Sequence, residues 1–336
     1  MSQADSGIRI ANKPGNQELW LARFRKFFPV LPVLALLAAL AVHLLLPNRP
    51  VPKITSTYTF LVLGVLFIYL IFNIVSIWVA NLRKKINNTA PIISVVILLV
   101  LIWDLVTLKL NLLDYRFFPN PDAVFNVFIT DWHALGINLL YSLRLFFLGV
   151  SIGTVIGLIA GVAMGWNKTC SYWLHPLQRV IGAIPATAWL PIALVAAPTT
   201  LFASVFLVAL ATVFPVTVMT STGVSNVKNT YFEVARTLGA NHDYLIFRVA
   251  IPAALPTIFI GMFNAFCSAF LVLVVAEQAG IKAGIGWYMN FQVGMLQYQE
   301  MYACIILIAL TFSGLITILF AVRSRMLVWQ RGVIQW

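Results

Sequence analysis

Charge is scarce in this sequence: Lys, Arg, Asp and Glu make up 10% of its 336 residues, while 61% are hydrophobic. A water-soluble fold carries roughly 25% charged residues, so a soluble globular protein is excluded and lipid is the solvent. Acidic residues are the rarer sign, 10 against 22 basic ones, which leaves a net charge of +12. In a soluble chain that balance would suggest nucleic acid. In a membrane protein basic residues collect in cytoplasmic loops, so no nucleic-acid partner is assigned.

Cysteine is nearly absent as well. Cys170, Cys267 and Cys304 are an odd number without CxxC spacing, and the last two lie in apolar runs, so neither a disulfide framework nor a metal cluster is implied. No Gly-x-x-x-x-Gly-Lys-Ser/Thr phosphate loop occurs, and no stretch offers a soluble nucleotide-binding domain of about 200 residues, so any ATP hydrolysis belongs on another chain. His-x-x-x-His pairs and a Ser-His-Asp pattern are missing too, so no catalytic residue and no metal ligand is assigned. The alternating segments of a β-barrel are absent. The first 27 residues are polar and basic, without a short apolar core before a cleavage site, and no removable signal peptide is expected.

Long apolar runs are what the chain does have. A bilayer core about 30 Å thick needs about 20 apolar helical residues. Eight segments meet or approach that length: Phe28 to Leu46, Phe60 to Ala80, Ile92 to Leu108, Leu139 to Gly165, Leu177 to Ala197, Phe202 to Val224, Leu255 to Ala276 and Met301 to Val322. Unpaired backbone amides in lipid are too costly for anything but helices, so an all-α integral membrane fold of about eight transmembrane helices is expected. With the amino terminus inside, sixteen basic residues from Arg9 to Arg331 fall in inner stretches. Five fall outside, Arg49, Lys53, Lys109, Arg116 and Lys282, and Arg144 lies near a helix end. The asymmetry puts both termini in the cytoplasm. Leu177 to Ala197, interrupted by Pro185 and Pro191, is read as one kinked span. The polar basic run Arg83-Lys84-Lys85-Ile86-Asn87-Asn88 reads as a linker, dividing an appended tail and hairpin, 1-90, from six helices in 91-336.

Within the apolar runs, Gly149, Gly153, Gly157, Gly161 and Gly165 recur at a strict four-residue spacing, which lays bare backbone along one helix face and predicts close helix packing. Ionisable residues in lipid are costly and point to sites. Asp104 suits a paired structural carboxylate or a transport role. Arg144 and Glu277, both near outer helix ends, suit snorkelling or a mutual ion pair, and His43 reads as solitary and interfacial. Thr187, Trp189, Asn264 and Gln278 are candidates to line a pathway together with Arg144 and Glu277, each with an ordinary packing alternative.

The most informative stretch is polar and runs from Asn226 to Pro256 on the basic side. Thr230 as N-cap with Glu233 three residues later predicts a capping box that starts a short helix, and Gly239 predicts its left-handed stop. Glu233-Val234-Ala235-Arg236-Thr237-Leu238-Gly239, followed by Ile251-Pro252, Leu255-Pro256 and Gly261, resembles the signature loop of binding-protein-dependent permeases, the transmembrane subunits of type I ABC importers. Phe118-Pro119-Asn120-Pro121, Ser142-Leu143-Arg144, Ile184-Pro185-Ala186, Trp189-Leu190-Pro191, Phe214-Pro215-Val216, Ala276-Glu277 and Gly284-Ile285-Gly286 occur in that family's order. They are similar to the branch importing nitrate, bicarbonate, sulfonates and taurine. The resemblance covers about Ile92 to Trp336. It implies a six-helix permease core with a coupling loop at 225-256, in which Glu233, Ala235, Arg236, Gly239, Pro252 and Pro256 serve an ABC ATPase subunit. It further implies ATP and Mg on that partner, an external substrate-binding protein, a second permease copy in a homodimer or heterodimer, and residence in the plasma (inner) membrane. The competing readings are an ion-coupled secondary transporter or channel using Asp104, Arg144 and Glu277, and an intramembrane enzyme or assembly factor.

Overall fold

The computed structural model describes residues 27–49 and 55–329. The polar amino-terminal tail, Lys53 and Arg331, which contribute to the charge count, lie outside them. Among the described residues seven helices are long and apolar enough to span a bilayer, or eight if one bent pair counts as a span. Two compact units divide the chain, Met1–Ile129 and Thr130–Trp336.

The first unit holds α1 (Phe28–Leu45), α2 (Thr57–Trp78) and α3 (Ala80–Lys109), followed by α4 (Pro121–Thr130). The basic run at 83–88 is a correction to the sequence reading: it is no linker but the opening turns of α3, separated from α2 by the single extended residue Val79 (φ −121°, ψ 101°). Arg and Lys are good helix formers, so polarity there marks emergence from lipid rather than a break in the helix. Thr89 Oγ1 donates to Lys85 O at 3.0 Å, which satisfies the hydroxyl on its own helix.

His43 is corrected too. It is not alone but buried among partners: its Nδ1 stands 3.1 Å from Oδ2 of the fully buried Asp104, and Tyr58 meets its ring edge-on at 4.9 Å. Lys109 Nζ donates to His43 O at 2.6 Å, Leu46 O at 2.9 Å and Asn48 Oδ1 at 2.6 Å. All three ammonium hydrogens are thereby used on the carboxyl end of α1, where cations are favoured by orphan carbonyls and the helix dipole. Asp122 does the converse for α2, accepting from Thr55 N, Thr55 Oγ1 and Tyr58 N at 2.6, 2.7 and 2.8 Å.

The second unit is organised around α8 (Thr200–Ser225). One neighbour is α5 (Trp132–Trp166), 35 residues long, which at 1.5 Å per residue reaches about 52 Å and outruns the hydrocarbon layer at its ends. The five glycines press directly on α8. A Cβ at Gly149 would meet Val208 at 2.5 Å, at Gly153 the Ala209 carbonyl at 2.5 Å, at Gly157 Val216 at 2.8 Å, at Gly161 Thr220 at 2.5 Å and at Gly165 the Ser221 carbonyl at 2.8 Å. The answering stripe on α8 is Val208, Thr212, Val216, Thr220 and Val224, also at four-residue spacing, so ridges built of β-branched side chains fill a groove of bare backbone. The opposite side of α8 meets α10 (His242–Gly280), where a Cβ at Gly261 would reach Met219 at 2.7 Å.

Leu177 to Ala197 is not one kinked helix. It divides into α6 (Lys168–Gly182) and α7 (Ala186–Ala196), bent by 81°. Pro185 explains the break, since it lacks an N–H and drives Ile184 out of the helical region. Asn167 caps α6, its Oδ1 accepting from Thr169 N at 2.8 Å. Two further helices complete the unit, α11 (Ile285–Gly294) and α12 (Tyr298–Met326).

Candidate functional site

The polar stretch after α8 folds as α9 (Asn229–Thr237). Its start differs from the capping box read in the sequence. Lys228 (φ −60°, ψ 130°) occupies the N-cap without a side-chain bond, and Thr230 is already helical, so Thr230 and Glu233 do not cap each other. Glu233 is left exposed. The stop forms at the glycine. At φ 87° Gly239 takes the left-handed conformation, Gly239 N donates to Arg236 O at 2.9 Å and Ala240 N to Ala235 O at 3.0 Å. This paired closure satisfies the last carbonyls of α9, whose negative end also carries Arg236. Asn241 Oδ1 then accepts from Tyr244 N at 2.9 Å and starts α10.

Pro252 and Pro256 are not loop residues. Both lie inside the helical segment Ile251–Gly280 that follows the π turn Leu245–Ala250. The irregular connection therefore spans only the residues between Ser225 and His242 with α9 at its centre. No residue of α9 is fully buried. Tyr231, Val234, Leu238 and Tyr244 are exposed, Leu238 at 83%. With Ala235 and Arg248 they bound an open groove of about 670 Å³. A nine-residue helix with an apolar, partly basic exposed rim has the form of a docking element rather than a core element.

A second constellation ties α5, α10 and α11 together. Glu277 is buried, and its Oε1 accepts from Ser142 Oγ at 2.6 Å and its Oε2 from Gly286 N at 2.8 Å. Ser142 Oγ accepts in turn from Ile285 N at 2.9 Å, and Asn138 Oδ1 from Gly284 N at 3.0 Å. Three orphan amides at the start of α11 thus find partners on neighbouring helices. Gly284 is at φ 104°, and a Cβ there would collide with the Glu277 carboxyl. Of the two sequence readings, snorkelling or a mutual ion pair, the pair does not form: this clamp holds Glu277, and Arg144 is exposed on α5. Ser142→Ala should leave Oε1 of Glu277 and the Ile285 amide unpaired, with Oε2 still held by Gly286 N, and cost about 2 kcal/mol. Thermal unfolding of the purified chain measures it, and an unchanged midpoint would exclude the clamp.

The other proposed pathway residues are scattered. Thr187 and Trp189 belong to α7, where Trp189 packs against the cluster around Ala193 and Leu207. Asn264 is exposed on α10 and Gln278 is partly buried nearer its end. No hydrogen bond joins any two of them among the described residues. A cavity the sequence did not indicate lies between α6 and α8. It is about 460 Å³ in volume and is bounded by His175, Gln178, Arg179, Phe214, Ser221 and Thr222. Helical spacing would have shown only its α6 wall: residues 171, 175, 178 and 182, three polar and one glycine, share one face of α6, opposite the exposed Trp173, Leu177 and Val180.

A family model described as binding-protein-dependent transport system inner membrane component matches residues 153–326. The bicarbonate transport system permease protein of Synechococcus elongatus is 32% identical over 190 residues, 56% of this chain and 65% of that protein. The nitrate import permease protein of Synechocystis sp. is 30% identical over 185 residues, 55% of this chain and 66% of that one. A putative ABC transporter permease protein of Methanocaldococcus jannaschii is 27% identical over 260 residues, 75% of this chain and 97% of its own length.

Proposed function

Since the chain belongs to the family of binding-protein-dependent transport system inner membrane components, we propose that it is the permease subunit of an ATP-driven importer and forms the path of a small anion. The exposed α9 and its groove carry this reading, because a short, glycine-terminated helix projecting from a bundle gives a separate ATPase a handle. Basic residues concentrated in the same loops favour the cytoplasmic face for α9 and for both termini. The chain itself supplies no phosphate loop, so ATP and Mg would be held by that ATPase, and an external binding protein would deliver the solute. A second permease, identical or similar, would complete the path. ATP would act by favouring one of two arrangements of the bundle over the other.

Two relatives are named for bicarbonate and nitrate, both oxyanions. The cavity between α6 and α8 offers such a solute Arg179 and His175 with no carboxylate among the six bounding residues named above. Arg179→Gln should lower ATP-dependent nitrate or bicarbonate uptake in vesicles about tenfold, the value of one charge-assisted hydrogen bond, whereas Arg144→Ala should not. The amino-terminal unit, outside the family match, is read as an appendage to the transport core.

Ion coupling without an ATPase is less favoured because its charges are engaged elsewhere: Asp104 pairs with His43, and Glu277 is held by Ser142 and Gly286. Purification of the intact assembly from membranes separates the two. An ATPase should copurify and uptake should require ATP; uptake driven by an ion gradient with no ATPase present would sink the importer reading.

A further inference from the structure

α9 has few holds on the bundle. Of its side chains Phe232 and Ala235 are partly buried and the rest are exposed. Phe232 reaches the cluster formed by Val224, Ala250, Ala254 and Ile258. It also meets the indole of Trp166 edge-on, with ring centroids 5.5 Å apart. Trp166 is the last residue of the glycine-lined α5, and its Nε1 donates to Nε2 of His242, the first residue of α10, at 2.9 Å. The two rings are T-shaped at 5.2 Å. One indole therefore touches both the exposed helix and the next span.

The chemistry fixes the sense of this contact. Indole only donates, so His242 Nε2 must be the acceptor and the ring hydrogen must be on Nδ1. Behind Trp166, α5 cannot slide independently of α8, because Gly149 through Gly165 lie against α8 at near-contact spacing. A packed pair of that kind moves as one body rather than deforming.

We propose that Trp166, held by His242, is the positioning residue that passes displacement of α9 to the α5–α8 pair. The inference rests on α9 being the ATPase-docking helix. Without the indole, α9 would keep chain continuity and the packing of Phe232 on the cluster around Val224, but the last turn of α5 would lose its aromatic hold on α9.

The test uses the full chain with its copurified ATPase in lipid nanodiscs and reads backbone hydrogen exchange with and without ATP, so no transported solute need be known. In the wild type, ATP should alter exchange both in α9 and in the last turn of α5. Trp166→Ala and His242→Ala should keep the α9 response and diminish the α5 response about fivefold, the equivalent of one hydrogen bond's net contribution. Trp166→Phe, which keeps the ring beside Phe232 but loses the donor, should show an intermediate loss, and His242→Gln, which keeps an acceptor, should preserve most of the response. An α5 response unchanged in Trp166→Phe and His242→Ala would overturn the link while leaving α9 as the docking helix. No response of α9 in the wild type would overturn both.

Discussion

Glu233→Lys is expected to abolish ATP-driven uptake while leaving the chain in the membrane at wild-type abundance. Glu233 is exposed on α9, and no hydrogen bond or ion pair holds it within the described residues, so its replacement removes nothing from the fold. In the docking role proposed for α9, a reversed charge at its centre opposes association with a partner surface that faces a carboxylate, and like-charge juxtaposition across an interface costs several kcal/mol. Gly239→Trp should reach the same result by another route. Nothing lies within 4 Å of a Cβ built there, so there is space, but φ 87° disfavours any side chain by roughly 1–2 kcal/mol. The indole would also fill the groove beside Tyr231 and Tyr244. Uptake by membrane vesicles, with expression matched by immunoblot, measures both variants. Wild-type uptake in either would end the docking role of α9.

Gly153→Leu should have a larger effect of a different kind, loss of the folded chain. A Cβ at this position falls 2.5 Å from the Ala209 carbonyl oxygen and 2.6 Å from Thr212 Cβ. Backbone cannot rotate away as a side-chain tip can, so α5 and α8 must separate and forfeit contact along the whole stripe. Ordinary overpacking of a core costs roughly 1–3 kcal/mol, and a wedge between two long helices should exceed that range. Gly136→Leu on the same helix is the control, because nothing lies within 4 Å of its Cβ. Size-exclusion chromatography and thermal unfolding in detergent should show aggregation for Gly153→Leu and wild-type behaviour for Gly136→Leu. Equal stability of the two would contradict the close α5–α8 packing.

Apolar run length, the sign asymmetry of the loops and the four-residue glycine spacing are local or periodic properties, which is why the membrane class, most spans and one packing face are legible in the residues alone. Gly239 was legible for the same reason, since a left-handed helix stop is specified where it occurs. The start of α9 was not: Thr230 and Glu233 satisfy a capping pattern, yet the chain enters the helix two residues earlier at Lys228, and a pattern cannot tell which of several adjacent residues takes the non-helical dihedral. The run at 83–88 misled because polarity marks both linkers and helix ends beyond the lipid.

The sequence by itself determined that this chain lives in a bilayer as helices and that a polar stretch with a short helix ending at Gly239 interrupts its spans. Only the tertiary structure decided which distant groups meet. Asp104 chose His43, 61 positions away, and Glu277 chose Ser142, 135 positions away, rather than the charges that composition offered. A buried charge is settled by whichever donors the packing brings within 3 Å, and sequence separation carries no record of that. Trp166 belongs to the same class: nothing near it in the chain points to Phe232 and His242, which the fold brings against its indole.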